Sequence, residues 1–156
     1  MIMKKIIALI FTLMTVYVWA SDPVKPTVLP TNYRISMNYI MPRNMSPRSI
    51  ENGYTIEMRG DTATMYLPYI GEARSAAWNN DGIDFKHVIK NKRERTTKKG
   101  ARIIFFDISH SAVIYSVQIT AFNNNVAEVD VTPSYATTCS YRGEWEEIKD
   151  EEKKEK

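Results

Sequence analysis

From Val113 to Ala121 every second residue is apolar: Val113, Tyr115, Val117, Ile119 and Ala121 alternate with Ile114, Ser116, Gln118 and Thr120, three of them polar. A period of two puts all five on one face of a pleated strand, whereas a helix would scatter them around its axis. The same period returns in Tyr33, Ile35, Met37 and Tyr39, in Tyr54, Ile56 and Met58, in Ala63, Met65 and Leu67, and in Ala127, Val129 and Val131. Ile103 to Phe106 are four adjacent apolar residues, the pattern of a strand covered on both faces. No segment carries an apolar stripe of helical period. The expected fold is therefore mainly β, an antiparallel meander of about 7–8 strands curled into a barrel-like sheet or a sandwich, with little or no helix.

Turn chemistry punctuates these runs. Gly60-Asp61 separates two alternating stretches as a tight hairpin would. Ser109-His110-Ser111 reads as a second turn, and Asn123-Asn124-Asn125 as a third, because asparagine tolerates left-handed backbone. A last β-rich run spans Tyr135 to Tyr141, after Pro133. The longest break runs from Pro68 to Gly82 and reads as an ordered loop, a place where function often resides.

The chain ends differ from its middle. Lys4 and Lys5 precede an uncharged run from Ile6 to Trp19 and then Ala20-Ser21, the charged, apolar and small-residue order of a secretory signal peptide. Residues 1–20 are expected to be removed between Ala20 and Ser21, giving an exported periplasmic or secreted protein whose mature form does not span a membrane. Residues 21–31, with three prolines, read as an extended spacer, 32–143 as a single β domain, and 144–156, rich in Glu and Lys, as a charged, disordered tail. Loss of Lys4 and Lys5 lowers the formal charge from +3 to +1, which removes any argument from net charge for nucleic acid or membrane. The lone Cys139 cannot form an internal disulfide and reads as a half-buried strand residue.

Catalytic and metal-binding patterns are missing. His87 and His110 are isolated in sequence, without a metal-ligand spacing, and the glycines form no phosphate-binding loop. No nucleophile elbow occurs. Asp61, Asp81 and Asp84 are the only loop acids to consider for acid/base chemistry, and each is more simply a turn residue, because aspartate favours turn starts. The expectation is a protein that is not an enzyme, with no cofactor, no metal and no nucleic-acid partner.

Two features remain as binding surfaces. The first is the aromatic loop 67–85, for which Tyr66, Tyr69, Trp78, Phe85 and Tyr141 are the candidate ligand-binding residues. Aromatic rings with polar rims grip sugars or small apolar molecules, and they equally plug the open end of a sheet. The second is the basic hairpin 90–102, with Lys92, Arg93, Lys98 and Lys99 as a patch that could dock an envelope protein along a sheet edge. Its alternative role is as solvated hairpin arms that block edge pairing.

Gly53-Tyr54, Gly60-Asp61, Leu67-Pro68-Tyr69-Ile70-Gly71-Glu72-Ala73, Gly82-Ile83-Asp84-Phe85, Lys98-Lys99-Gly100 and Ser140-Tyr141-Arg142-Gly143, in this order, resemble the DUF4251 family, a domain of unknown function in exported Bacteroidetes proteins. The resemblance extends from about Tyr33 to Gly143. It implies a mainly β domain in a Gram-negative envelope or secreted location, and it implies no activity.

Overall fold

The structure is a computed structural model that describes residues 24–74 and 82–149; the expected signal peptide, the cleavage residues Ala20 and Ser21, and Trp78 lie outside the described residues. Among the described residues ten strands form one antiparallel sheet: β1 (Asn32–Pro42), β2 (Arg48–Ser49), β3 (Thr55–Arg59), β4 (Thr62–Leu67), β5 (Ile83–Val88), β6 (Lys90–Thr96), β7 (Arg102–His110), β8 (Val113–Ala121), β9 (Val126–Pro133) and β10 (Cys139–Glu147). The spatial order is β5-β4-β3-β1-β10-β9-β8-β7-β6, with β2 paired to β1. β5 and β6 are the two ends of that order, yet only Ile89 separates them in the chain. The sheet therefore has to curl back on itself, and β5 packs against β7 across the seam of a nearly closed barrel. No helix among the described residues is long and apolar enough to cross a membrane.

The alternating residues face inward as their period requires. Ile35, Ile40, Ile56, Met65, Ile108, Ile119, Val129 and Tyr141 are fully or almost fully buried in one core. The Gly60-Asp61 hairpin joins β3 to β4 in register, Arg59 opposite Thr62. Ten strands replace the expected seven or eight because β2 has only two residues and β6 has no apolar alternation, all seven of its residues being exposed.

Three boundaries move. The β7–β8 turn lies at Ser111 and Ala112, both with positive φ, and His110 is the last residue of β7. The final strand begins at Cys139, not Tyr135, and Cys139 is fully rather than half-buried. It also runs past Gly143 to Glu147, so the first four residues assigned to the charged tail are strand. They are held because Glu144, Trp145, Glu146 and Glu147 pair with β1, Trp145 packs on the core, and Arg34 lies 3.6 Å from Glu146. Their charge sits on a solvated face and is compatible with the ladder.

The proline-rich segment before β1 has no regular secondary structure in its described residues, 24–31, and it is docked. Thr27 is buried, its N–H donates to Gly100 O at 2.7 Å, and Asn123 Nδ2 donates to Lys25 O at 2.8 Å. Two turns of the β6–β9 half thus hold the entry to β1.

Candidate functional site

The outer face of β6 to β9 carries an open cleft of about 340 Å³. Register builds it in two rows. Arg93 lies opposite Phe105, Phe105 opposite Gln118, Gln118 opposite Asp130 and Asp130 opposite Ser140. In the neighbouring row Asp107 lies opposite Ser116, and Ser116 opposite Thr132. Each is the outward residue of its pleat, so two carboxylates, an amide and several hydroxyls converge beside one aromatic ring.

The side chains are ordered by their own hydrogen bonds. Asp107 accepts from Asn91 Nδ2 at 2.9 Å and from Ser116 Oγ at 2.8 Å. Asn91 reaches it because β6 bulges between Lys90 and Arg93, with Asn91 at φ 54°. Asp130 accepts from Ser140 Oγ, and Thr132 and Thr138 share a hydrogen bond of 2.8 Å. The Arg93 and Arg95 guanidiniums stand 5.9 and 5.5 Å from the Phe105 centroid, within cation–π range. Phe105 is thus the half-buried member of the Ile103–Phe106 run, covered from outside by arginine instead of by a second layer.

The aromatic residues expected to form a site are divided. Tyr69 and Tyr141 are buried; Tyr69 Oη donates to Thr137 O, and Tyr141 Oη donates to Pro68 O at 2.7 Å. Phe85 is buried against His110 and Tyr115, with centroids 4.8 and 5.0 Å away. These three rings serve the core. Tyr66 alone of the described set is exposed, stacked on Tyr54 with centroids 5.3 Å apart. Burial pushes the Tyr141 and Tyr69 phenols above the ordinary tyrosine range, and it pushes the Cys139 thiol up, which keeps that sulfur protonated and unreactive.

The basic residues do not form one patch. Lys92 lies 3.1 Å from Glu94 on one side of β6, while Arg93 lies on the outer cleft on the other, as successive residues of a strand point to opposite faces. Lys98 and Lys99 are exposed in the turn beyond β6. Sequence separation also concealed one contact: His87 and His110, isolated in the chain, meet with ring nitrogens 2.8 Å apart. No group of three or more His, Cys, Asp or Glu side chains among the described residues could hold a metal ion.

Comparison with known proteins places the fold. A crystal structure of a DUF4251 family protein from Bacteroides eggerthii is similar, with a TM-score of 0.60 and 16% identity over 75% of this chain and 80% of that one. No curated protein matches the chain. The model of the DUF4251 family, a domain of unknown function, matches residues 21–145, and the chain belongs to that family.

Proposed function

We propose that the protein is an exported, non-catalytic binding module whose outer cleft takes a polyhydroxylated ligand of the glycan class. The observation that carries this reading is the two adjacent polar rows, Gln118 with Asp130 and Asp107 with Ser116 and Thr132, next to the Phe105 ring. Carboxylates and amides exchange hydrogen bonds with neighbouring hydroxyls, while an aromatic ring packs the C–H face of a sugar. The internal bonds to Asp107 and Asp130 hold the acceptors in place before a ligand arrives, which lowers the ordering cost of binding. The site proposed here differs from the aromatic loop, whose Tyr69 and Phe85 are occupied in the core.

Calorimetric titration of the purified protein against a panel of soluble oligosaccharides tests this. Binding by at least one, weakened about tenfold or more by Asp130→Asn and by Phe105→Ala, is expected, since one hydrogen bond to a charged acceptor contributes about 1.5–3 kcal/mol. A panel without a binder, or variants that bind like the parent, overturns it.

A second reading is supported by β6, an end strand of the sheet with every residue exposed and four of seven basic. An extended acidic segment of an envelope protein could add to such an edge. Charge reversal at Lys90, Lys98 and Lys99, which do not line the outer cleft, should then abolish its capture while leaving glycan binding unchanged.

A further inference from the structure

The barrel has a second cavity, of about 220 Å³, where β1, β3, β6 and β7 converge on the segment before β1. Leu29, Pro30, Met58 and Ile104 supply its apolar wall. Tyr33 also lines it. Only 4% of Tyr33 is exposed, and its Oη is, among the described residues, a buried side-chain oxygen with no hydrogen-bond partner. Buried hydroxyls are almost always satisfied, so an orphan on a residue that lines a cavity marks the place of something that completes it.

The charges at the mouth say what that something is. Glu94 is held by Arg102, and by Lys92 at 3.1 Å. Burial works to raise its carboxyl, but the hydrogen bonds from Arg102 and Lys92 outweigh burial and hold it below the ordinary carboxylate range. Two cations on one carboxylate leave an excess positive charge at the rim. Burial, and secondarily the Glu94 charge, push the Tyr33 phenol far above its ordinary range, so Oη carries its proton and can donate. A donor and net positive charge at one end, with apolar walls behind, select an anion with an apolar body.

We propose that this cavity binds a small monocarboxylic acid, its carboxylate received by Tyr33 Oη with Arg102 and Lys92, its body packed on Met58, Ile104 and Leu29. The volume lies below the roughly 300–1,000 Å³ of sites for drug-sized ligands, which restricts the body to a short alkyl chain or a single ring. The site is independent of the outer cleft. Lys92 and Glu94 face it from one side of β6, whereas Asn91 and Arg93 face the cleft from the other.

Calorimetry and ligand-observed NMR with hexanoate and benzoate, and with hexanol and benzyl alcohol as uncharged counterparts, test the assignment on the purified protein. At least one acid should bind, about tenfold or more tightly than its alcohol. Tyr33→Phe keeps the ring and should weaken the acid about tenfold while leaving the thermal midpoint unchanged or higher, because it deletes an unsatisfied hydroxyl. Arg102→Gln should erase the preference for acid over alcohol. The proposal is overturned if neither acid binds at millimolar concentration, if Tyr33→Phe binds like the parent, or if a crystal structure shows the cavity filled by water bonded to Tyr33 Oη.

Discussion

His87 Nε2 lies 2.8 Å from His110 Nδ1, and this contact joins β5 to β7 across the seam of the barrel. One ring nitrogen donates and the other accepts, so the tautomer of each ring sets its role in the pair. Phe85 stacks on His110 at 4.8 Å and tilts against His87 at 5.6 Å, which fixes both rings. The end strand β5 thus meets β7, the neighbour of the other end strand, through side chains.

That clasp makes a first prediction. His110→Ala removes both the hydrogen bond and the stack on Phe85, and should cost about 1–3 kcal/mol in urea unfolding. His110→Phe, which keeps a ring against Phe85, should cost less. Hydrogen exchange at the Ile89 amide, bonded to Asp61 O at 2.8 Å beside the seam, should accelerate in the alanine variant. Unaltered protection there would mean that the seam is closed by other contacts.

Glu94 provides a pH-dependent prediction. Its carboxyl is held below the ordinary range in the folded protein, so its contribution to stability is present above the unfolded value and is lost as pH falls through the folded one. Parent and Glu94→Gln should therefore differ most in thermal midpoint near pH 7, the parent being more stable. The difference should shrink on acidification below about pH 4, once the parent carboxyl is protonated as well. A gap of constant size down to pH 3 would assign the effect to packing.

Periodicity made the inward faces of β1, β3, β4, β8 and β9 legible, because each has one buried and one solvated side. β6 shows no such period, and only the basic hairpin reading of 90–102 reached it: Lys-Asn-Lys-Arg-Glu-Arg-Thr buries nothing, and it is a strand through its pairing with β7. The same applies to Glu144–Glu147, whose acidic composition hides a ladder with β1. The outer cleft was out of reach because Phe105, Gln118 and Asp130 come from three strands and meet through register, which a single sequence does not reveal. The aromatic loop was visible, but composition could not separate rings that grip a ligand from rings that fasten a core. Pro68-Tyr69 proves to be the second kind, bonded to Tyr141 and Thr137.

This fastening can be measured through Tyr141. Removing its hydroxyl in Tyr141→Phe leaves the Pro68 carbonyl without this donor and should cost about 1–3 kcal/mol. Burial, then Cys139, raise its phenol, so the folded protein keeps a proton that the unfolded chain releases near pH 10. The associated stability is complete below that pH and is lost above it, at up to about 1.4 kcal/mol per pH unit. The alkaline slope should be shallower in Tyr141→Phe than in the parent. Equal slopes would show that other tyrosines dominate.

Two residues further along β10, Gly143 faces Met37 where the β1–β10 register shifts around Asn38. A Cβ on Gly143 would stand 2.1 Å from Ser36 O and 2.9 Å from Met37 Cα, both backbone atoms that no rotamer change can move. Gly143→Ala must therefore displace β1 itself, the strand that joins the β3–β5 half of the sheet to the β10–β6 half. A loss of about 3 kcal/mol or more is expected, beyond the usual range for overpacking, because the obstacle is main chain. Arg142→Ala, at an exposed neighbour in the same strand, should stay within about 0.5 kcal/mol of the parent and serves as the control. Thermal and urea unfolding of the two variants decide the matter: a Gly143→Ala protein as stable as the control would show that the bulge at Asn38 can open to admit a methyl group.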